Sequence, residues 1–145
     1  MLIPMLNPDG VIVGNARCSL AGHDLNRVYS HPNIEVSPTV HSLKSLIKGC
    51  QEEHQVALFC DLHGHSRKSE IFMYGCEDTK GDVDSIRTRQ FTKLYEDASG
   101  IFNSDLCSYS ITKDKESTGR VVVYKELGVP HSFTLEASFC GVVQT

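Results

Sequence analysis

Three short clusters place charged or hydrogen-bonding side chains at spacings that could do chemistry. The first has Asn-Pro-Asp-Gly at residues 7–10, then Arg17, then Asp-Leu-Asn-Arg at residues 24–27. An arginine beside an asparagine can hold a carboxylate, because the guanidinium offers two parallel charge-assisted hydrogen bonds and the amide adds another donor. A solvated loop with turn-forming Asn and Asp residues explains the same pattern, so this cluster alone leaves both interpretations open.

The second cluster is Asp61-Leu62-His63-Gly64-His65. A histidine at the end of a buried strand, beside a glycine that permits close approach, is a common arrangement for a metal ligand. A lone histidine is more often a structural residue, so the cluster has that alternative too. We expect His63 and His65 to face opposite sides of the strand, and therefore not to bind one metal ion together.

The third cluster surrounds Glu136, which lies within a run, residues 134–138, that otherwise resembles a core strand. A carboxylate in a core costs several kcal/mol unless it is paired, hydrated or bound to a metal ion. The alternative is an edge strand on which Glu136 faces water.

The elements that must position these clusters alternate between strands and helices. We predict strands at residues 2–6, 56–62, 71–74 and 132–137, with the second buried on both sides because its run is continuously apolar. Residues 121–124 favour a strand by propensity, yet Gly128 could equally end a short helix there. This alternation predicts an α/β layered domain.

Two amphipathic helices are predicted, and residues 11–34 are expected to form a loop. The first helix begins at Ser37-Pro38, and the second covers residues 82–98. The residues expected to face inward are Val40, Leu43, Leu46 and Ile47 in the first helix and Ile86, Phe91, Leu94 and Tyr95 in the second.

Composition restricts the function classes. The chain has 145 residues and a formal net charge of −4, so non-specific binding to nucleic acid or to an anionic membrane is not expected as a main role. No apolar run approaches the ~20 residues that span a bilayer, and we do not expect the first residues to act as a secretory signal peptide. The six cysteines include no C-x-x-C pair, which favours reduced, buried thiols in a cytoplasmic protein.

Taken in order, the clusters resemble the M14 family of zinc carboxypeptidases, and most closely its cytosolic members, which remove glutamates from tubulin and other proteins. Residues 72–76 (Phe-Met-Tyr-Gly-Cys), 119–122 (Gly-Arg-Val-Val) and 138–141 (Ser-Phe-Cys-Gly) extend the match, so that it covers nearly the whole chain in order and spacing. The resemblance implies a metallocarboxypeptidase with a three-layer α/β/α fold and a mixed, mostly parallel sheet.

The resemblance also implies catalytic roles. His63 matches the last of the family's three zinc ligands. Glu136 matches the glutamate that takes a proton from zinc-bound water, whose pKa zinc lowers toward ~7, and later gives it to the leaving amine. Arg17 is similar to the arginine that polarises the scissile carbonyl and stabilises the oxyanion.

Further residues match the family's substrate-binding positions. Asn26 and Arg27 match the pair that clamps the terminal carboxylate and makes the enzyme an exopeptidase, and Asp24 is similar to the acid that orients a zinc-binding histidine. Arg120 lies where the family has its specificity pocket, and an arginine there can pair bidentately with a glutamate side chain. Lys113 and Lys115 precede it, with a solvated loop as their alternative interpretation.

Two features depart from the family pattern. The other two zinc ligands come from an H-x-x-E motif before the Asn-Pro-Asp-Gly turn, and residues 1–6 contain no His, Asp or Glu. We therefore expect residues 1–145 to be the C-terminal portion of a catalytic domain, inactive alone, with two zinc ligands upstream. The mobile tyrosine of the secreted relatives is also unmatched, because its position falls on Asp114; Tyr109 is the nearest substitute.

The expected partners are acidic C-terminal protein tails such as those of tubulin. A different class of function keeps the arginine and asparagine groups but no metal: a non-catalytic module that binds such tails. A zinc amidohydrolase of small acyl-amino acids is a weaker third alternative.

Overall fold

The computed structural model describes residues 1–77 and 83–141. Its sheet has three strands, β1 (Leu58–His65), β2 (Ile71–Tyr74) and β3 (His131–Ser138), in the order β1-β3-β2. β1 and β3 are parallel, whereas β2 pairs with β3 in the antiparallel sense. The predicted mixed sheet is therefore confirmed.

Helices cover both faces of this sheet, as the three-layer prediction requires. The helices are α1 (Pro8–Val13), α2 (Pro38–Glu53), α3 (Val83–Ala98) and α4 (Gly119–Lys125). α2 and α4 share one core cluster, against which Phe59 of β1 packs. α3 lies on the opposite face, where the rings of Phe91 and Phe133 stack with centroids 5.0 Å apart.

The helix α2 follows the predicted pattern with one exchange. Val40, Leu43 and Ile47 are buried, but Leu46 is 44% exposed and Lys44 is buried in its place. At about 100° per residue, position 44 lies nearer than position 46 to the centre of the stripe formed by positions 40, 43 and 47. The Lys44 ammonium is satisfied there by the carbonyls of Tyr29 and Ser30 and by the carboxylate of Glu126, at 2.7–3.0 Å.

The helix α3 has the predicted extent, apart from Asp82, which lies outside the described residues. Of its four predicted inward residues, Phe91 packs into the core, and the Tyr95 ring, 38% exposed, lies 4.9 Å from that of the core residue Phe102. Ile86 and Leu94 are 56% and 60% exposed. Periodicity therefore identified two of the four residues that face the described core.

Several predictions for β-structure were wrong. Residues 2–6 form no strand; the Leu6 carbonyl instead accepts a hydrogen bond from Thr39 of α2 (2.7 Å). β1 is not buried on both sides, because it is an edge strand of the described sheet with Leu58 and Leu62 exposed. Residues 121–124, for which two interpretations stood open, are part of α4.

The Asn-Pro-Asp-Gly segment, predicted as a turn, and residues 11–13, predicted as part of a loop, instead form the helix α1. The Asn7 side chain accepts a hydrogen bond from the Gly10 amide (3.1 Å) and donates one to the Cys18 carbonyl (3.2 Å). It thus caps the helix and fixes the loop that carries Arg17.

All six cysteines lie in the described ranges and none forms a disulfide bond; only Cys76 is buried, and Cys60, expected in a core, is exposed on β1. No helix in the described ranges is long and apolar enough to cross a membrane.

Candidate active site

A cleft of about 680 Å³ lies over the face of the sheet that carries Glu136. Six of the seven predicted site residues line it: Arg17, Asn26, Arg27, His63, Arg120 and Glu136. They come from two loops, two strands and one helix that are far apart in the sequence. Asp24, the seventh, reaches the cleft through its ion pair with Arg17.

Two histidines flank Glu136 because of the strand register. β1 and β3 pair His63 with Glu136 and His65 with Ser138. The Nδ1 atom of His63 lies 3.9 Å from one carboxylate oxygen of Glu136, and the Nδ1 atom of His65 lies 3.6 Å from the other. Residues two apart in a strand share a face, so the prediction that the histidines face opposite sides was wrong.

Asp61 fixes the orientation of His63. Its carboxylate lies 2.8 Å from His63 Nε2, which directs Nδ1 toward Glu136 and the cleft. This hydrogen bond is the main reason why the pKa of His63 is raised, although burial opposes it. The sequence analysis assigned Asp61 no role. Its contact with His63 could have been predicted, because residues two apart in a strand lie on the same face.

His63 is suited to hold one coordination position of a zinc ion. Ligating histidines typically have one ring nitrogen held by a carboxylate while the other binds the metal, and Asp61 provides that carboxylate. Within the described ranges, the cleft included, no group of three or more His, Cys, Asp or Glu side chains could hold a metal ion by itself. His63 therefore fits the position of one zinc ligand, and the two further ligands expected upstream stay a prediction.

Glu136 is a buried carboxylate on the central strand, only 8% exposed. The alternative of an edge strand with Glu136 in water is therefore excluded. Burial raises its pKa, and the neighbouring His63 and His65 act in the opposite direction. A carboxyl group with a raised pKa is well suited to accept a proton and release it again.

Arg17 and Asp24 form a linked pair at the rim. Arg17 donates from Nε to Asp24 (2.7 Å), whose other oxygen accepts from the Asn26 amide (2.9 Å) and caps a 3-10 turn at Leu25–Arg27. Asp24 does not contact His63, because Asp61 occupies that position. Its predicted role toward another zinc-binding histidine stays a prediction.

Asn26 and Arg27 are placed by that turn against the start of α4. The Asn26 side-chain oxygen accepts from the Gly119 amide (2.8 Å), which leaves its NH₂ group for the cleft. Arg27 donates through Nη1 to the Asn26 carbonyl (2.8 Å). The two side chains can therefore approach one carboxylate together.

Arg120 is buried in the floor of the cleft. It is 5% exposed, its guanidinium donates to the Gly75 carbonyl, and it lies 5.8 Å from the centre of the Tyr74 ring. Arg120 also lines the cleft, where its guanidinium can meet an acidic side chain.

Comparison with known proteins identifies relatives over nearly the whole chain. Mouse cytosolic carboxypeptidase 3 is 50% identical over 146 residues, which covers 97% of this chain. Zebrafish cytosolic carboxypeptidase 1 is 42% identical over 156 residues, covering 99% of it. The chain is homologous to the cytosolic carboxypeptidases. It spans about 14% of the length of these curated relatives.

Solved structures agree with the homology to cytosolic carboxypeptidases. A Pseudomonas aeruginosa metallo-carboxypeptidase, bound to (2-guanidinoethylmercapto)succinic acid, matches with a TM-score of 0.79 and 31% identity, over 95% of this chain and 36% of its own. A Burkholderia cenocepacia metallo-carboxypeptidase has the same TM-score at 26% identity, over 94% and 35% of the two chains. No family model matches the chain. The predicted M14 relationship and carboxypeptidase fold are confirmed by these relatives.

Tyr109, named as the nearest substitute for the family's mobile tyrosine, lies away from the cleft of this cytosolic carboxypeptidase homologue. Tyr109 is 8% exposed, its hydroxyl bonds to Thr92 (2.5 Å), and it lines a separate cavity, so it does not reach the cleft. Tyr74 does line the cleft, and sequence reasoning gave it no role. Its pairing with Thr134, two residues before Glu136, places it on the same face.

The two lysines that precede Arg120 in the sequence differ in their position relative to the cleft. Lys115 lines the cleft and pairs with Asp114 at 2.9 Å, whereas Lys113 is not among the lining residues. The solvated-loop interpretation therefore applies to Lys113.

Proposed function

We propose that this chain belongs to a cytoplasmic zinc carboxypeptidase that hydrolyses the last peptide bond of acidic protein tails, tubulin's among them, and releases glutamate. The proposal rests chiefly on the meeting of His63, Glu136 and Arg17 with Asn26, Arg27 and Arg120 in one cleft. The zinc ion would be held by His63 Nδ1 together with two ligands from outside this chain.

Proton transfer falls to Glu136. Zinc, when bound, supplies Lewis-acid activation of water. Glu136 accepts the proton of the attacking water and passes it to the leaving amine, a task that its raised pKa favours. Arg17 donates to the carbonyl oxygen as negative charge develops there, while Asp24 holds its Nε.

Exopeptidase specificity follows from binding of the substrate's terminal carboxylate by Asn26 and Arg27. A free terminal carboxylate can take hydrogen bonds from the Asn26 NH₂ group and from the Arg27 guanidinium. A chain that continued past this point would lack the carboxylate and would leave both donors unpaired.

The charge of the cleft favours acidic substrates. One carboxylate, that of Glu136, faces five cationic side chains in the lining: Arg17, Arg27, Arg67, Lys115 and Arg120. We assign Arg120 to the side chain of the terminal glutamate.

A non-catalytic module for acidic tails is the second candidate. It is favoured by one observation, that the described residues contain no self-sufficient metal-binding group. Such a module would use the same cationic cleft without hydrolysis.

The test compares the complete product of the gene encoding this chain with its Glu136→Gln variant. We expect the parent to release glutamate from a polyglutamylated peptide, and the variant to lose at least ~100-fold in rate while still binding the peptide. A metal chelator should abolish release. Full activity in Glu136→Gln would contradict the mechanism, and binding without release in both proteins would favour the second candidate.

A further inference from the structure

Arg67 differs from the other four cations of the cleft in having no partner. Arg17 pairs with Asp24 and Lys115 with Asp114, while Arg27 and Arg120 donate to backbone carbonyls. Arg67 is exposed, lines the cleft, and makes no hydrogen bond or ion pair with any residue in the described ranges. Its charge is therefore available to a ligand.

The loop that carries Arg67, residues 66–70, is anchored at both ends. The Phe139 amide donates to the His65 carbonyl (2.8 Å), and the Ser138 amide donates to the Glu70 carbonyl (3.1 Å). Glu70 has a φ of 68°, in the left-handed region that non-glycine residues seldom adopt. Asn103 holds its carboxylate at 2.7 Å.

A neighbouring lysine is fixed within the same loop. The Lys68 ammonium lies 4.5 Å from the centre of the Phe72 ring and 3.3 Å from the Leu106 carbonyl. Lys68 is thereby held against the protein, whereas Arg67 projects from an anchored loop into the cleft. Anchoring of the backbone reduces the entropy cost of using Arg67 for binding.

The residues along β3 define two ends of the cleft, with Arg120 at one and Arg67 at the other. Ser132, Thr134, Glu136 and Ser138 follow one another along one face of β3, about 6.6 Å per two residues. Arg120 lies at the Ser132 end, where its carbonyl accepts a hydrogen bond from Ser132 (2.7 Å). His65 pairs with Ser138 at the other end, and Arg67 lies two residues beyond it.

In an exopeptidase the terminal residue and the rest of the substrate lie on opposite sides of the reacting carbonyl. Asn26, which contacts Gly119 beside Arg120, marks the side of the terminal residue. The part of the substrate before the scissile bond must therefore leave past Glu136 toward Arg67.

We propose that Arg67 binds the side-chain carboxylate of an acidic residue at one of the two positions preceding the scissile bond. This inference rests on the proposed function and adds to it a second site of acid recognition, separate from the Arg120 pocket. This second contact makes the chain selective for substrates with several consecutive acidic residues over substrates with a single terminal glutamate.

The experiment measures binding of labelled peptides to the complete gene product by fluorescence anisotropy. This measurement needs neither metal nor turnover. All peptides end in glutamate. One set has glutamate at either or both of the two preceding positions, and the matched set has glutamine there. Arg67→Ala is compared with Lys48→Ala, an exposed cation of α2 that does not line the cleft.

We expect Arg67→Ala to weaken binding about fivefold for the peptides with preceding glutamate, and to leave the glutamine set unchanged. Arg67→Lys should lose part of this selectivity, and Lys48→Ala none. An equal effect of Arg67→Ala on both sets, or no effect, would overturn the inference and leave the proposed function intact. Failure of the parent to prefer a free over an amidated C-terminus would overturn both.

Discussion

At the scale of single residues, the arrangement around Glu136 depends on alternation along two strands. Asp61, His63 and His65 share one face of β1, and Glu136 shares that face on β3. The proposed metal ligand and proton acceptor are therefore held by sheet register, while Arg17, Asn26 and Arg27 lie on loops and Arg120 lies on α4. Catalytic groups placed on strands are held more rigidly than groups on loops.

Asp61 provides the sharpest prediction at this scale. Asp61→Asn removes the charge that holds His63 Nε2 and should lower zinc affinity of the complete gene product ~10- to 100-fold. Competition with a chromophoric chelator measures this directly. Asp97→Asn, an exposed change on α3, is the control. Unchanged zinc affinity in Asp61→Asn would show that the hydrogen bond does not orient the ligand.

At the scale of elements, helices and strands with strong local sequence patterns could be predicted, whereas the tertiary contacts between them could not. The strands β2 and β3 and the helix α2 were predicted closely because apolar periodicity and a Ser-Pro start identify them. α4 remained ambiguous because three consecutive valines favour a strand, and the structure shows tertiary packing overriding that propensity. The burial of Lys44 could not be predicted, since its three oxygen partners are distant in sequence.

The same reasoning applies to the site. The resemblance to a family predicted six of the residues that line the cleft, because catalytic groups occur in short, ordered motifs. Asp61 and Tyr74 were missed because their roles arise from which strand face they occupy. Arg67 was missed because its significance depends on the absence of a partner among the described residues.

Lys44 joins three elements, so its removal should destabilise the chain. Lys44→Ala leaves the Tyr29 carbonyl and the Glu126 carboxylate without their shared donor, and we expect a loss of about 1–3 kcal/mol in the free energy of unfolding. Urea denaturation measures this loss. Lys48→Ala, on the exposed side of the same helix, should stay within ~0.5 kcal/mol of the parent. Equal effects of the two changes would contradict a structural role for Lys44.

At the scale of the whole molecule, charge is distributed unevenly. The chain carries a net charge of −4, yet the lining of its cleft has five cations and one carboxylate. An acidic tail is thus attracted by the cleft although the protein as a whole carries a net negative charge. This distribution favours selective binding over general adhesion.

Salt should therefore affect substrates according to their charge. Raising NaCl from about 50 to about 300 mM should weaken binding of a peptide with several glutamates several-fold, because exposed charges are screened over about 6–14 Å in this range. A peptide that retains only the terminal glutamate should lose much less. Isothermal titration of both peptides measures the difference, and parallel salt dependences would argue against a cationic cleft as the source of selectivity.

The parallel pairing of His63 with Glu136 has a consequence for folding fidelity. Because side chains alternate along a strand, displacing β3 by a single residue would turn Glu136 to the α3 face and bring Leu135 or Ala137 into the cleft. Such a misfolded chain could retain its helix and strand content while having no proton acceptor. Under the proposed function, hydrolysis by the complete gene product would then distinguish correctly paired molecules from misaligned ones that circular dichroism counts as native.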